Sequence, residues 1–200
     1  MILLVAPAAT VIVAILRGGK LLRLVSLPLR WPGVPALAFT AQAVVIYFLV
    51  FDGWEFQVLR AAILILSYLA LLLTVCINRR IPGMALLGIG LVLNLAVILA
   101  NGGYMPVTPE TMQRIGQTNA AEIEPGTRVA GCKDIVLPKG QTRLWVLSDI
   151  IVLPPSLHIP WAFSVGDVLI VAGMFLTVQW VMLGRPCRRG GPYAHLLPQQ

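Results

Sequence analysis

Five apolar runs separated by polar turns divide the chain, covering residues 1–16, 33–51, 58–77, 82–100 and 165–183. A helix needs about 17–25 mostly apolar residues to cross a hydrocarbon core of about 30 Å. The pattern therefore predicts an all-α integral membrane protein with about five transmembrane helices. The first run reaches only about 24 Å at 1.5 Å per residue, and the aliphatic stem of Arg17 can extend it toward the interface. A secretory signal carries its positive charge before the apolar run. Here the charge follows, so an uncleaved anchor is expected.

The boundaries of the runs carry further signals. Pro82 reads as the first residue of the fourth helix, where its missing N–H costs nothing. Asn101, Gly102 and Gly103 can close that helix in left-handed conformations. Arg60, near the outer end of the third run, is expected to snorkel to the surface. Ser164 and Asp167 stand three apart at the start of the fifth run, the spacing of a capping box. Asp167 also meets the positive end of the helix dipole, so on this reading Asp167→Asn costs only about 0.3–1 kcal/mol.

Residues 101–164 form a 64-residue outer segment, too long to lie without structure of its own. Thr108, Pro109 and Glu110 read as cap, first residue and dipole-compatible acid of a short helix closed by Gly116. The stretches 132–137 and 142–147 flank Pro138-Lys139-Gly140-Gln141 and predict a small β-hairpin. Trp145, Trp161 and Phe163 are expected at the outer leaflet.

Composition supports the membrane class: 58% of residues are hydrophobic and 12% charged, against about 25% charged in soluble domains. The net charge of +7 invites a nucleic-acid reading until the charges are located. Arg17, Lys20, Arg23 and Arg30 follow the first run, Arg79 and Arg80 the third, and Arg185, Arg188 and Arg189 the last, with no acid among them. The outer segment is balanced. Such alternation predicts the N-terminus outside and a basic cytoplasmic tail over 184–200. Nucleic-acid binding would instead need one basic face. Residues 17–32 mix cations with leucines and should lie along the cytoplasmic interface, with Arg17, Lys20 and Arg23 as candidate lipid-headgroup contacts.

Candidate chemistry is sparse. Gln42, Asn94 and Gln179 lie within spans, and each is expected to bond a neighbouring helix for about 0.6 kcal/mol. The competing reading makes them a polar path for a solute. No Asp, Glu, Lys or His occupies the middle of a span, which argues against ion-coupled transport. Cys76, Cys132 and Cys187 share no metal-ligand spacing. Ser156, His158 and Asp149 make a triad only on paper, without a nucleophile elbow. Neither an enzyme, a metal nor a cofactor is expected. Asp149 and Asp167 stand as candidate structural or functional carboxylates.

RGGKLLRL at 17–24, NGGYMPVTPE at 101–110, LWVLSDIIVLP at 144–154 and FSVGDVLI at 163–170 resemble a family of small bacterial multi-pass membrane proteins. That family is catalogued only as a domain of unknown function, the 5317 type. The resemblance implies a bacterial cytoplasmic-membrane protein and brings no activity, cofactor or catalytic residue with it. The stretch 117–143 is longer than the family pattern. The function expected is that of an accessory or assembly subunit of a larger membrane complex, with the bilayer and other membrane subunits as partners. Docking is expected through Asn101, Gly102, Gly103, Tyr104, Met105 and Pro106. The runner-up is a carrier or channel for a small neutral or lipidic solute.

Overall fold

A computed structural model describes residues 2–47, 54–116, 124–129, 133–153 and 161–184. Among them are seven helices: α1 (Ile2–Leu16), α2 (Leu22–Val25), α3 (Gly33–Tyr47), α4 (Trp54–Ile77), α5 (Met84–Ala100), α6 (Pro109–Arg114) and α7 (Val165–Leu183). The protein is mostly helical. Glu55–Ile77 of α4 and the whole of α7 are long and apolar enough to cross a membrane, whereas α1, α3 and α5 contribute shorter apolar helices. Residues 48–51, the end of the second apolar run, lie outside the described residues.

The long helices neighbour one another in the order α3, α4, α5, α7, α1. At the crossing of α5 and α7 the backbones come into contact, because glycines face it from both sides. A Cβ on Gly173 would stand 2.6 Å from the Gly83 carbonyl oxygen, and one on Gly90 would strike the Gly166 carbonyl. The pairs 83 with 173 and 90 with 166 run in opposite directions, so the two helices are antiparallel. Small residues at such a crossing let dispersion and polar contacts act at short range. Around it pack Tyr68, Leu71 and Val75 of α4, Leu91, Leu95 and Ile98 of α5, and Ile170 of α7. The outward faces stay apolar: Leu37 is 72% exposed and Leu66 64%.

The two ends of the row differ in character. At one end, the chain leaving α1 folds over the C-terminus of α7. The Lys20 N–H donates to the Met182 carbonyl at 3.0 Å and Arg23 Nη1 donates to the same oxygen at 3.3 Å. These bonds satisfy a carbonyl that helix geometry leaves orphaned, and they bring cations to the negative end of the dipole. Asn78, buried at the end of α4, accepts from the Arg30 N–H at 2.8 Å and donates to the Arg30 carbonyl at 3.1 Å. The basic clusters around Arg17–Arg30 and Arg79–Arg80 thus share one end. Pro82 sits in the turn before α5 and does not open the helix. Gly83, at φ 94°, is the cap, and the Pro82 carbonyl accepts from Thr177 Oγ1 at 2.8 Å.

At the other end the segment between α5 and α7, called the outer segment after its expected side, closes over the helices. Strand β1 (Met105–Val107) pairs in parallel with β2 (Asp134–Val136), and β3 (Ile151–Val152) pairs antiparallel with β4 (Ala162–Phe163). Helix α6 starts as its sequence indicates. Thr108 Oγ1 accepts from the Thr111 N–H at 3.2 Å, Pro109 opens the helix, and Gly116 follows it at φ 88°. Val107, Met112 and Val136 form a small second core beneath it.

Several expectations are corrected here. The β-hairpin does not form: β2 pairs with β1 and bridges Arg128 to Ile135, while 139–141 and 145–147 are 3-10 turns. Strand β1 emerges directly from α5 with every residue buried and offers the nearer edge. Leu144, at φ 54°, breaks any extended run on the other side. Arg60 does not snorkel. It is 3% exposed, and its Nε donates to Tyr104 Oη at 3.5 Å beneath the outer segment. Phe163, expected at a lipid surface, is buried.

Candidate functional site

The densest polar cluster among the described residues lies where the outer segment meets α4, α5 and α7. Its foundation is the start of α7. Ser164 has extended backbone geometry, so its Oγ accepts from the Asp167 N–H at 3.0 Å while its own N–H donates to Asp167 Oδ2 at 3.3 Å. That is a complete capping box, and it fixes the carboxylate. Asn94 then crosses from α5: its Nδ2 donates to Asp167 Oδ1 at 2.7 Å, and its Oδ1 accepts from Ser164 Oγ at 2.9 Å. Asn94 and Ser164 are fully buried and Asp167 is 3% exposed. Gly166 is required beside them, since a Cβ there would collide with the Asn94 amide.

Lys133, just ahead of β2, completes the cluster. Its Nζ stands 3.8 Å from Asp167 Oδ1 and donates to Tyr68 Oη of α4 at 3.4 Å. One side chain of the outer segment therefore ties to two helices, and through Asp167 to a third. Burial works against the charge on Lys133, yet the negative groups around it, Asp167 foremost, hold its ammonium well above the usual lysine range. Asp149 lies on the same side, 3% exposed, with its N–H donating to the Pro106 carbonyl at 3.3 Å. Its buried Oδ1 has no hydrogen-bond partner among the described residues. Burial first, then the charge of Asp134, pushes the Asp149 carboxyl well above the usual carboxylate range, against the pull of Lys133.

The three polar candidates within the apolar runs do not meet one another. Gln42 Nε2 donates to Ser67 Oγ at 2.8 Å, joining α3 to α4. Gln179 accepts from Arg17 Nη1 at 2.9 Å and donates to the Thr10 carbonyl at 3.1 Å, joining α7 to α1. Asn94 joins α5 to α7. The expected docking run is corrected most. Met105 and Pro106 are fully buried, Gly103 is buried against Ala61, Asn101 and Tyr104 are half-buried, and Gly102 alone is exposed. Asn101 clamps Arg143, accepting from its N–H and donating to its carbonyl, both at 2.9 Å. The run is an internal buttress because the outer segment folds back over it. Arg17 and Lys20 are exposed and Arg23 half-buried at the opposite end. Ser156 and His158 lie outside the described residues.

Chemically, the cluster can hold charges and a proton. No group of three or more His, Cys, Asp or Glu is placed to hold a metal among the described residues. Lys133 and Tyr68 carry the network and were not singled out from the sequence. Tyr68 is a polar-tipped residue inside an apolar run and was the available signal, whereas Lys133 is one cation in a balanced segment and gave none.

Fold and site together define a mostly helical protein that has two helices able to cross a membrane, closed at one end by a folded segment and an ion-paired cluster. The chain belongs to the family of unknown function DUF5317, which matches residues 26–179. An uncharacterized protein of Thermotoga maritima is 31% identical over 117 residues, 56% of this chain; the chain spans 59% of that relative's length. No solved structure matches the chain.

Proposed function

We propose that α1, α3, α4, α5 and α7 cross a bacterial cytoplasmic membrane, with the N-terminus outside and the C-terminus inside. The support is the segregation of the ends. The acid-free basic stretches 17–30 and 79–80 collect at one end of the helix row and the charge-balanced segment at the other, as the positive-inside bias demands.

Within that frame the protein is a non-enzymatic accessory or assembly subunit of a larger membrane complex. The observation that carries this reading is the pairwise use of Gln42, Asn94 and Gln179 by three different helix pairs. Polar groups spent in this way fasten helices together and do not line a shared path. The lateral faces of α1 and α3, at the two ends of the row, keep large apolar side chains exposed, including Ile12 and Leu16 on one and Leu37 and Phe39 on the other. Solubilising native membranes in a mild detergent should recover this chain in a stoichiometric assembly larger than itself, and the purified chain should move no solute in liposomes. Solute flux by the purified chain alone would refute the subunit reading.

A further inference from the structure

The second 3-10 turn of the outer segment, Trp145–Leu147 with its cap Leu144, was expected to be a strand and is instead a rigid apolar tip. Leu144 is 50% exposed and Val146 62%. Leu144 adopts a left-handed backbone (φ 54°), a conformation that L residues with large side chains rarely adopt and that persists only when the surroundings enforce it. The surroundings here are tight. The Leu147 N–H donates to the Leu144 carbonyl at 2.9 Å, Ser148 Oγ donates to the Trp145 carbonyl at 2.6 Å, and Leu147 packs against the main core. The Asn101 clamp on Arg143 fixes the turn at the C-terminal end of α5, next to the exposed Leu99.

Along the chain the tip carries cations only, and the acid that reaches one of them is the exposed Glu110 of α6, near Lys139. Lys139 and Arg143 are both exposed, Lys139 Nζ stands 3.7 Å from the centroid of the Trp145 ring, and residues 139–147 contain no acid. Apolar side chains flanked by cations and an indole, at the end of a helix, match the boundary between acyl chains and phosphates. Trp is favoured at that depth. We propose that Leu144, Trp145 and Val146 form an interfacial anchor that dips into the outer leaflet, with Lys139 and Arg143 taking lipid phosphates. The anchor rests on the membrane reading above. It holds the outer segment, and the Lys133–Asp167 pair beneath it, against the bilayer surface.

Spin-label accessibility tests this in nanodiscs of phosphatidylethanolamine and phosphatidylglycerol. The full chain carries Cys76→Ala, Cys132→Ala and Cys187→Ala, and nitroxides are attached singly at Val146→Cys and Leu144→Cys. Leu66→Cys, on the exposed face of α4, reports hydrocarbon, and the exposed Thr127→Cys reports water. The anchor requires labels at 144 and 146 to collide several-fold less with a water-soluble nickel chelate than the label at 127, and more with oxygen. Should the 146 label match the 127 label while the 66 label stays protected, the anchor is overturned and the membrane reading stands. A 66 label as open to nickel as the 127 label overturns both. The Val146 site keeps the test valid if substitution at the strained Leu144 disturbs folding.

Discussion

Replacing Asp167 by asparagine keeps the side chain's shape and removes its charge, so it measures what the carboxylate holds. As a helix cap alone, the loss would be the dipole term of about 0.3–1 kcal/mol. The structure adds three partners. Oδ1 accepts from Asn94 Nδ2 at 2.7 Å and faces Lys133 Nζ at 3.8 Å, and Oδ2 accepts from the Ser164 N–H at 3.3 Å. An amide has one oxygen, so in either orientation its NH2 faces a donor. Lys133, whose side chain is 16% exposed, would also lose its principal counter-charge. Removing one partner of a buried pair costs about 3–5 kcal/mol. The partial exposure of Lys133 and the nearby Asp134 place this substitution at the lower bound of about 3 kcal/mol. Equilibrium unfolding in mixed detergent micelles, run as a cycle with Lys133→Met and the double variant, should give a coupling of about 1–2 kcal/mol. A single-variant cost below about 1 kcal/mol, with the two substitutions additive within about 0.5 kcal/mol, would refute the ion-paired account.

Three further outcomes follow from the same geometry. The Asp149 carboxyl binds its proton more tightly folded than unfolded, so this group makes stability fall as pH rises above about 4, the unfolded value; Asp149→Asn should remove that slope in melting curves from pH 4 to 8, and an unchanged slope would contradict the assignment. Gly166→Ala should cost about 1–3 kcal/mol through overpacking against Asn94, read by the same micelle unfolding, whereas an alanine tolerated without loss would mean that the crossing is looser than described. Under the proposed orientation, a membrane-impermeant thiol reagent should label Cys132 in intact spheroplasts and Cys187 only after lysis; labelling of Cys187 from outside would reverse the topology.

Local signals in the sequence were readable where the chemistry is local. The cap and acid of α7 (Ser164, Asp167) and the Thr108-Pro109 start of α6 appear where their spacing puts them, because a capping residue acts within one turn. Pairings across distance were not readable. Lys133 and Asp167 are far apart in sequence, and nothing in a charge-balanced segment distinguishes that lysine from its neighbours. The hairpin failed for a related reason: Pro138-Lys139-Gly140-Gln141 is good turn chemistry, but strand β1, which emerges directly from α5, offered β2 the better edge. The Asn101–Pro106 run read as a docking surface because two glycines permit close approach of another chain, whereas Gly103 uses that freedom internally, to lie against Ala61. One signal was present and unread: Gly83 and Gly90, and Gly166 and Gly173, are each seven apart. That is two helical turns, and the spacing that brings two small residues to one helix crossing.

The fold over the end of α7 bears on the order of assembly during synthesis. Helix α1 packs chiefly on α7, and its exit is secured by Lys20 and Arg23 on Met182 and by Arg17 on Gln179. Helix α1 must therefore wait for α7, which is made later. A ribosome extends the chain by about 5–20 residues per second, so α1 stands without its main neighbour for many seconds while α3, α4 and α5 assemble. The contact between α1 and α7 forms only after α7 has been made. A nascent chain stopped before α7 leaves uncovered the α1 face that packs on α7, in addition to the lateral face that carries Ile12 and Leu16.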